Sequence, residues 1–558
     1  MDVLVLAGVI EPPEFLLARN SRVVQVDGPD VAPDVLIDLR SHLPRRVTVA
    51  GPYAGDVAAR LHRAGLLVRL HTDDEVGERK DLSGVEVLPL SDPGPRMDVV
   101  GSVLEVVGNT PLVRLDRLGR DLPCPLLAKL ELLNPGGSVK DRPAVAMVDA
   151  AERDGLLRPG GTIVEGTSGN TGVGLAIVAA RRHYRCIFVM PDKMAPEKVA
   201  LLRAYGAQVV ICPTAVPPEH PDSYYSVTAR LAREIPGAFH PDQYSNQENP
   251  ESHVRTTGPE IWHQTAGRIT YFVAGIGTGG TVSGIGRYLK SKDPGVRIVG
   301  ADPEGSVYSG GSGRPYLVEG IGEDFWPTTY DPGAVDEVIM VSDADSFHTA
   351  RRVGVEEGIL VGGSAGTAIW AALQLAPRLG PRDVVVTLIP DSGRGYLSKL
   401  YSDEWMSDHG FLRGRGQTVA DVLEKKGRRL PELIHVHPDD KASEAVAIMQ
   451  EYSVSQLPVV QLDEVPLAEA EVVGAVHEHD LMRKALSDPS LLDRSVREVM
   501  GPPLPSVGAG ESVELAVNRL EASPAILVID HGHPVGVISR TDALGFLAVA
   551  ASESEAIK

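Results

Sequence analysis

The sequence predicts an α/β protein of several domains. Near-continuous apolar strands alternate with helical segments along its 558 residues, and this pattern is typical of mostly parallel sheets with helices on both faces. A chain of this length holds about three to five domains. A turn-rich stretch near residue 95 and a weak repeat beyond residue 418 divide the chain into three blocks.

The N-terminal block, residues 1–97, is predicted to be a small α/β extension. Short β-branched runs alternate with loops, one helix is expected near Asp56–Ala64, and the turn-rich segment Ser91–Pro95 indicates a linker. The block carries no GxGxxG or GxxxxGK[ST] motif, so its role stays open between a structural or partner-contacting appendage and a ligand-binding unit. The predicted strands are Val3–Leu6, Val23–Val26, Val47–Val49, Leu66–Leu70 and Val85–Leu88.

The middle block, residues 98–412, is predicted to form the largest domain. Its strands are almost wholly apolar and are separated by helical segments of about 10–20 residues, which favours parallel sheets covered on both faces. The predicted strands include Ile187–Met190, Gln208–Cys212, Ile269–Ala274, Val296–Ala301 and Val384–Ile389.

The C-terminal block contains a weak internal repeat. The segment Val473–Leu481 aligns with Val535–Asp542, and each copy is a strand followed by an Asp that opens a helix. Two copies are too few for a solenoid. We therefore predict a pair of small βαββα modules, with bounds at residues 413–488 and 489–558.

Composition excludes several classes of function. Lys and Arg number 54 against 75 Asp and Glu, a formal charge of -21, which disfavours nucleic-acid and membrane binding. The three cysteines, Cys124, Cys186 and Cys212, form no CxxC pair, which favours a reducing compartment and argues against a structural zinc site. With no signal-peptide pattern and no long apolar run, we expect a cytoplasmic protein without a metal site.

Three glycine-containing loops carry the predicted chemistry. Lys140 follows Gly136 and Gly137 at the start of a predicted helix, for which Ser138 and Asp141 are candidate caps. Glu165–Gly172 and Gly275–Thr281 each follow a strand and open a helix, so their main-chain N–H groups favour a carboxylate and a phosphate, respectively. A lysine with a carboxylate cradle and a phosphate cradle indicates pyridoxal phosphate held as a Schiff base.

At these loops the middle block resembles the fold-type II pyridoxal-phosphate enzymes, specifically the cysteine synthase/cystathionine β-synthase family. The resemblance implies a core of two three-layer α/β subdomains, and the C-terminal pair resembles the tandem CBS domains of the same family. The segments of the middle block that carry the resemblance are Gly108–Leu112, Asn134–Arg142, Thr167–Gly172, Asp242–Tyr244, Gly277–Thr281, Asp302–Ser306, Glu319–Gly322, Gly362–Gly366 and Pro390–Ser392.

The resemblance implies a role for each matching residue. Lys140 would form the Schiff base and later remove the Cα proton, Asn170 would bind the ring hydroxyl, and Ser392 would face the pyridine nitrogen. Because a neutral hydroxyl supports a weaker electron sink than a carboxylate, β-elimination is favoured over transamination. The implied phosphate loop is Gly277, Thr278, Gly279, Gly280 and Thr281, and the implied carboxylate-binding set is Thr167, Ser168, Thr171 and Gln243.

The implied activity is that of a lyase that condenses L-serine with L-homocysteine to cystathionine through an aminoacrylate, a step of cysteine biosynthesis by transsulfuration. Cysteine synthase activity, from O-acetylserine or O-phosphoserine and sulfide, stays open, as does another nucleophile in a specialised pathway. A catalytically inactive nucleotide-sensing scaffold is the alternative of another class. Dehydratases of the same fold usually carry a histidine after the asparagine, where this chain has Thr171.

Two departures from the family pattern affect these expectations. Glu323 stands beside the substrate cleft where animal enzymes carry tyrosine, which leaves the preferred nucleophile open. Animal enzymes also bind haem through an N-terminal cysteine and histidine, but the first 123 residues here contain no cysteine. We therefore expect no haem, with His42, His62 and His71 at the surface.

The C-terminal pair is expected to bind S-adenosylmethionine or an adenine nucleotide, although a structural or dimerising role stays open. Ser539 and Asp542 complete the hydroxyl-x-x-Asp pattern, whereas His477 replaces the hydroxyl before Asp480, so we predict one competent site. The resemblance adds Ser455, Gln456 and Leu457 to its wall. Family cores pair as two-fold dimers, so a homodimer or homotetramer is expected.

Overall fold

A computed structural model of the chain describes residues 99–556, with gaps at 168, 193–195, 214–219, 415, 427–432 and 462–465. Before residue 99 it describes the backbone of five strands. The chain divides into two compact units. The first comprises residues 1–109 and 254–267, and the second comprises residues 110–253 and 268–558.

The first unit contains a five-stranded parallel sheet in the order β2-β1-β3-β4-β5. All five predicted strands are confirmed, and the order is that of a doubly wound α/β sheet. The helix expected near Asp56–Ala64 and the linker Ser91–Pro95 lie outside the described residues, as do His42 and His62. The strands are β1 (Asp2–Ala7), β2 (Arg22–Val26), β3 (Arg46–Ala50), β4 (Val68–His71) and β5 (Glu86–Leu88).

The second unit carries two sheets whose strands lie between residues 112 and 389. A six-stranded sheet has the order β14-β13-β12-β15-β7-β6, with β6 antiparallel to β7, and a four-stranded parallel sheet has the order β10-β9-β8-β11. Two sheets confirm the expected pair of α/β subdomains. Their strands are β6 (Leu112–Arg114), β7 (Leu126–Leu130), β8 (Thr162–Gly166), β9 (Arg185–Pro191), β10 (Gln208–Cys212), β11 (Ala238–Phe239), β12 (Tyr271–Gly275), β13 (Arg297–Pro303), β14 (Glu337–Val341) and β15 (Val385–Ile389).

Helices connect these strands in the way that parallel pairing requires. They are α1 (Asp141–Arg153), α2 (Asn170–Arg182), α3 (Pro196–Ala204), α4 (Tyr224–Glu234), α5 (Glu248–Arg255), α6 (Thr257–Gln264), α7 (Gly280–Lys292), α8 (Asp343–Arg352), α9 (Gly363–Gln374) and α10 (Asp403–Asp408).

The core of the larger sheet lies under its central strands. Every side chain of β15 is buried, as are six of the seven residues of β13, which explains why these strands are continuously apolar in sequence. The alanine-rich helix α9 packs against β12 and β15 because its small side chains permit close approach. Several loops of the site described below begin at the carboxyl ends of these strands.

The C-terminal pair of modules is confirmed. In the second module β18, α15, β19, β20 and α16 follow one another, with β18 parallel to β19 and β20 antiparallel to it. The first module repeats the antiparallel pair as β16 and β17, and each copy ends a strand directly before a helix. The elements are α11 (Val419–Lys426), α12 (Ala442–Tyr452), β16 (Gln456–Val460), β17 (Val472–His477), α13 (Glu478–Ser487), α14 (Val496–Val499), β18 (Ser506–Gly508), α15 (Val513–Ala522), β19 (Ala525–Asp530), β20 (His533–Ser539) and α16 (Arg540–Ala556).

A buried ion pair connects the first module to the segment between β13 and β14. Arg314 donates to both carboxylate oxygens of Glu471, at 3.0 and 2.6 Å. Glu471 also accepts from the main-chain N–H of Ala468, so the charged pair is held in a fixed geometry. Ala470, the neighbour of Glu471, lies in the wall of the cavity described below.

In the described part of the chain, no helix combines the length and the apolar character that crossing a membrane would require.

Candidate active site

A cavity of about 790 Å³ collects most of the predicted catalytic residues. Its wall is formed by loops from both sheets of the second unit and includes part of the first C-terminal module. The predicted residues in the wall are Lys140, Thr167, Asn170, Thr171, Gln243, Gly277, Thr278, Gly279 and Thr281. Ser168 lies outside the described residues.

The glycine turn before Lys140 is closed by Asp141. The Asp141 carboxylate accepts the main-chain N–H of Gly136 at 2.5 Å, and a Cβ on Gly136 would come within 2.3 Å of Asp141 Oδ1. Our expectation that Asp141 caps the helix is therefore wrong, because its short side chain reaches back to the turn. The Ser138 hydroxyl accepts from Lys140 N at 3.2 Å, but α1 starts without a side-chain cap at Lys140.

Lys140 differs from the other two lysines in the cavity wall. Lys198 and Lys399 both pair with the carboxylate of Glu319, and these two lysines lower the pKa of Glu319 against the effect of burial. Lys140 makes no ion pair within the described part of the chain. Burial lowers the pKa of Lys140, which favours the neutral, nucleophilic amine.

A buried ionic network fixes the start of α1. Arg142 donates from Nε and Nη2 to the two oxygens of Glu131, at 2.7 and 2.8 Å. Thr110 and Asn134 donate to the same carboxylate, at 2.7 and 2.8 Å. Burial opposes ionisation, but Arg142 outweighs it and lowers the pKa of Glu131. The network holds Lys140, two residues before Arg142, at a fixed place in the cavity wall.

The predicted carboxylate-binding residues come together at the start of α2. The Thr171 hydroxyl donates to Gln243 Oε1 at 2.6 Å, and both side chains are buried. The Thr167 hydroxyl accepts from Gly169 N at 3.3 Å. Hydroxyl and amide groups beside a helix N-terminus offer several donors to one anionic group.

Asn170 is oriented by two residues that sequence reasoning missed. Its amide donates to Asp391 Oδ2 at 2.8 Å, and the Tyr396 hydroxyl donates to the same oxygen at 2.7 Å. Burial raises the pKa of Asp391. Asp391 and Asn170 are 221 positions apart, so no local pattern indicated this pairing.

The glycine loop before α7 fits a phosphate group. Gly279 has a φ of +80°, which favours glycine. A Cβ on Gly277 would lie 2.8 Å from the Gly320 carbonyl oxygen, and one on Gly280 would lie 2.2 Å from Asn249 Oδ1. Gly277 and Gly280 therefore admit no side chain, and the main chain of the loop can approach an anion at the start of α7. Lys140, this loop and Asn170 together fit pyridoxal phosphate.

Ser392, which is predicted to face the pyridine nitrogen, follows two residues of the cavity wall in the sequence. The Ser392 hydroxyl accepts from Arg394 N at 3.3 Å, while its neighbours Pro390 and Asp391 lie in the cavity wall. Ser364, which the sequence analysis left without a role, also lies in the wall and is buried at the start of α9. The assignment of Ser392 to the pyridine nitrogen stays a prediction, with Ser364 as a second neutral partner.

The buried carboxyl group of Glu165 fixes the main chain at Asp242 and Gln243. The carboxyl accepts from the main-chain N–H groups of Asp242 and Gln243, at 3.0 and 3.4 Å, and lies 3.3 Å from His240 Nε2. Burial raises the pKa of Glu165 to about 8 and lowers the pKa of His240. A pKa near 8 favours the protonated form of this carboxyl at neutral pH.

This protonation predicts a pH-dependent stability. Between pH 4.5, the ordinary pKa of a glutamate, and about pH 8, Glu165 holds its proton in the folded state but not in the unfolded state. The free energy of unfolding therefore falls as the pH rises, by up to about 1.4 kcal/mol per pH unit. Glu165→Gln cannot titrate, and its apparent Tm should rise relative to that of the wild type from pH 5 to pH 8. Glu319→Gln, where the pKa is lowered, is the control without this gain. A constant Tm difference would contradict the assignment.

The predicted regulatory residues lie in two different modules. Asp542 Oδ2 accepts from the Ser539 N–H and hydroxyl, both at 2.7 Å, and from Lys426 at 2.8 Å. In the first module Gln456 pairs with His477 across β16 and β17, and the Ser455 carbonyl accepts from Glu478 N. Leu457 is fully buried. A site that uses both groups would therefore span the two modules.

Comparison with known proteins shows that two protein families match parts of the chain. Residues 103–391 match the pyridoxal-phosphate dependent enzyme family, and residues 419–487 and 496–549 match the CBS domain. The chain is 44% identical to cystathionine beta-synthase of Oryctolagus cuniculus over 374 residues, 65% of this chain and 68% of that protein. It is 34% identical to cystathionine beta-synthase of Dictyostelium discoideum over 461 residues, 80% of this chain and 92% of that protein.

Among solved structures, O-ureido-L-serine synthase is similar to the catalytic part. The TM-score is 0.52 at 38% sequence identity, and the match covers 54% of this chain and 95% of that chain.

Proposed function

Since the chain belongs to the pyridoxal-phosphate dependent enzymes, and among them to the cystathionine β-synthase family with tandem CBS domains, we propose that it condenses L-serine with L-homocysteine to cystathionine. One observation carries the proposal. Lys140, whose pKa is lowered by burial, shares a single cavity with a carboxylate-binding set and a phosphate-binding loop.

Pyridoxal phosphate, when bound, supplies an electron sink for negative charge at the substrate Cα. The main-chain N–H groups of residues 277–281 and the positive end of α7 would hold its phosphate. Asn170, oriented by Asp391, would bind its ring hydroxyl, and Ser392 or Ser364 would face its pyridine nitrogen. Either hydroxyl is neutral, which favours loss of a β-leaving group.

Lys140 would take the Cα proton of serine and return it after the nucleophile has attacked Cβ. Thr167, Ser168, Thr171 and Gln243 would bind the substrate carboxylate, which orients the Cα–H bond towards Lys140. A cleft that closes over the reacting carbon would exclude bulk water and so limit hydrolysis.

Cysteine synthase activity is the second candidate. It would use O-acetylserine or O-phosphoserine with sulfide, a smaller nucleophile. The similarity of the catalytic part to O-ureido-L-serine synthase favours the third candidate, β-replacement with another nucleophile. A scaffold without catalysis is disfavoured because Lys140, Asn170 and residues 277–281 are all present in or around one cavity.

The test compares two substrate pairs on the purified holoenzyme. We expect cystathionine from serine and homocysteine, identified by mass spectrometry, at a rate well above that of cysteine formation from O-acetylserine and sulfide. The reverse order would transfer the assignment to cysteine synthase. No product from either pair, nor from O-phosphoserine and sulfide, would contradict both and favour the scaffold.

We further propose domain bounds at residues 98–412, 413–488 and 489–558, with residues 1–97 as an extension of unassigned role. S-adenosylmethionine or an adenine nucleotide would bind at Ser455, Gln456, Leu457, Ser539 and Asp542. The assembly would be a homodimer or homotetramer, and the enzyme would contain no haem. A ligand-dependent shift in Tm, the mass in solution and the visible absorption spectrum test these three points.

A further inference from the structure

The cavity holds a second carboxylate whose environment differs from that of Glu319. Glu319 and Glu323 are four positions apart and both lie in the cavity wall. Glu319 is neutralised by Lys198 and Lys399. The Glu323 carboxylate makes no hydrogen bond or ion pair with a side chain in the described part of the chain, although its backbone is fixed by Ser306 and Val307.

The surroundings of Glu323 are aromatic and acidic. Five tyrosines share the cavity wall with it, and the rings of Tyr224 and Tyr225 contact each other with centroids 3.9 Å apart. Burial raises the pKa of both Tyr244 and Tyr316, and the charge of Glu323 raises it further. Both phenols therefore interact electrostatically with Glu323, and they stay neutral. Asp324, the next residue, adds a further negative charge at the same wall.

A half-buried carboxylate among neutral phenols is suited to a cationic amine. The carboxylate offers a charge-assisted hydrogen bond, and the ring faces attract an ammonium group. Burial and then Asp324 raise the pKa of Glu323 to about 8, against the effect of Lys140. The site therefore gains most from a ligand that brings its own positive charge, since such a ligand stabilises the ionised carboxylate.

We propose that Glu323, with Tyr224, Tyr225, Tyr244 and Tyr316, forms a binding subsite for the ammonium group of the nucleophilic substrate. This inference rests on the proposed function and deepens it.

The chemistry of the two substrates supports this assignment. The amino group of serine is used for covalent attachment to the cofactor, and its carboxylate is assigned to the set around Thr171. Homocysteine brings a thiol, a carboxylate and an ammonium group. Of the described carboxylates in the cavity wall, Glu319 and Asp391 already have partners, and Asp324 is exposed. Glu323 is half-buried and makes no ion pair within the described residues; burial raises its pKa, and the charge of Lys140 acts against that rise.

The experiment compares two thiols that differ only in the ammonium group. Homocysteine and 4-mercaptobutanoate are each supplied to the holoenzyme with saturating serine, or with O-acetylserine if that is the accepted first substrate, and kcat/KM is measured. In Glu323→Gln, which keeps the shape but removes the charge, we expect kcat/KM for homocysteine to fall by roughly 10- to 100-fold. The value for 4-mercaptobutanoate should stay within about threefold, so that the preference for the amine is lost.

Glu356→Gln is the matched control, because Glu356 pairs with Arg352 away from the cavity, and it should keep the wild-type preference. The absorbance change on adding serine alone should be unchanged in Glu323→Gln, and its Tm should match that of the wild type. Equal losses for both thiols in Glu323→Gln, or no loss for either, would overturn the subsite while leaving the proposed function intact. A wild-type enzyme that accepts neither thiol would overturn both.

Discussion

Lys140→Ala is expected to lower turnover by about 10³-fold or more. The substitution removes the amine that would bind the cofactor covalently and the base that would move the Cα proton, so no other group in the cavity can replace both roles. Lys198 and Lys399 share the wall, but each is paired with Glu319. The measurement is the initial rate with serine and homocysteine, together with the visible absorbance of the bound cofactor.

Two further variants separate chemistry from structure. Lys140→Arg supplies a basic side chain of similar length but no nucleophilic amine at neutral pH, so it should be as inactive as the alanine variant. Lys292→Ala, at the end of α7 with its ammonium group over the Tyr288 ring, should retain full activity. A small primary amine in the buffer should restore part of the activity of Lys140→Ala. An alanine variant within tenfold of the wild-type rate would contradict the assignment.

Glu131→Gln is expected to lower the free energy of unfolding of the catalytic part by about 3–5 kcal/mol. The side chains of Glu131 and Arg142 are 0% and 2% exposed, so the substitution leaves a guanidinium charge without its partner in a site that water does not reach. Denaturant titration followed by cofactor absorbance measures the loss.

The double variant Glu131→Leu/Arg142→Met is the control. Because it removes both charges and replaces them with apolar side chains of similar volume, it should recover at least half of the lost stability. Arg153→Met, which removes a charge from an exposed pair with Asp154, should cost little. A loss for Glu131→Gln below about 1 kcal/mol would show that the network contributes little to holding the start of α1.

The elements with strong local signals could be predicted from sequence. The strands of both units follow continuous apolar runs, and the segment Gln208–Cys212 coincides with β10. The glycine loop at residues 277–281 has a strong sequence signal because glycine is required there. A Cβ atom on Gly277 or Gly280 would lie too close to Gly320 or Asn249, respectively. Lys140 could be identified because two other loops of complementary chemistry accompany it in the chain.

The missed features depend on contacts between distant residues. Asp391 orients Asn170 from 221 positions away, and Glu319 pairs with Lys198 from 121 positions away. Charged side chains such as these are common on surfaces, so nothing local distinguishes them before the fold is known. The role expected for Asp141 was wrong for a related reason, because a short carboxylate can bind either the helix start or the preceding turn.

Reductive trapping of the holoenzyme tests the central claim most directly. Borohydride fixes the bond between the cofactor and its lysine, and peptide mass spectrometry then locates the modified residue. We predict that the modification lies on Lys140, the lysine of the cavity wall whose pKa is lowered by burial. Modification of Lys198 or Lys399 with Lys140 untouched, or no modified lysine in a cofactor-loaded protein, would contradict the account.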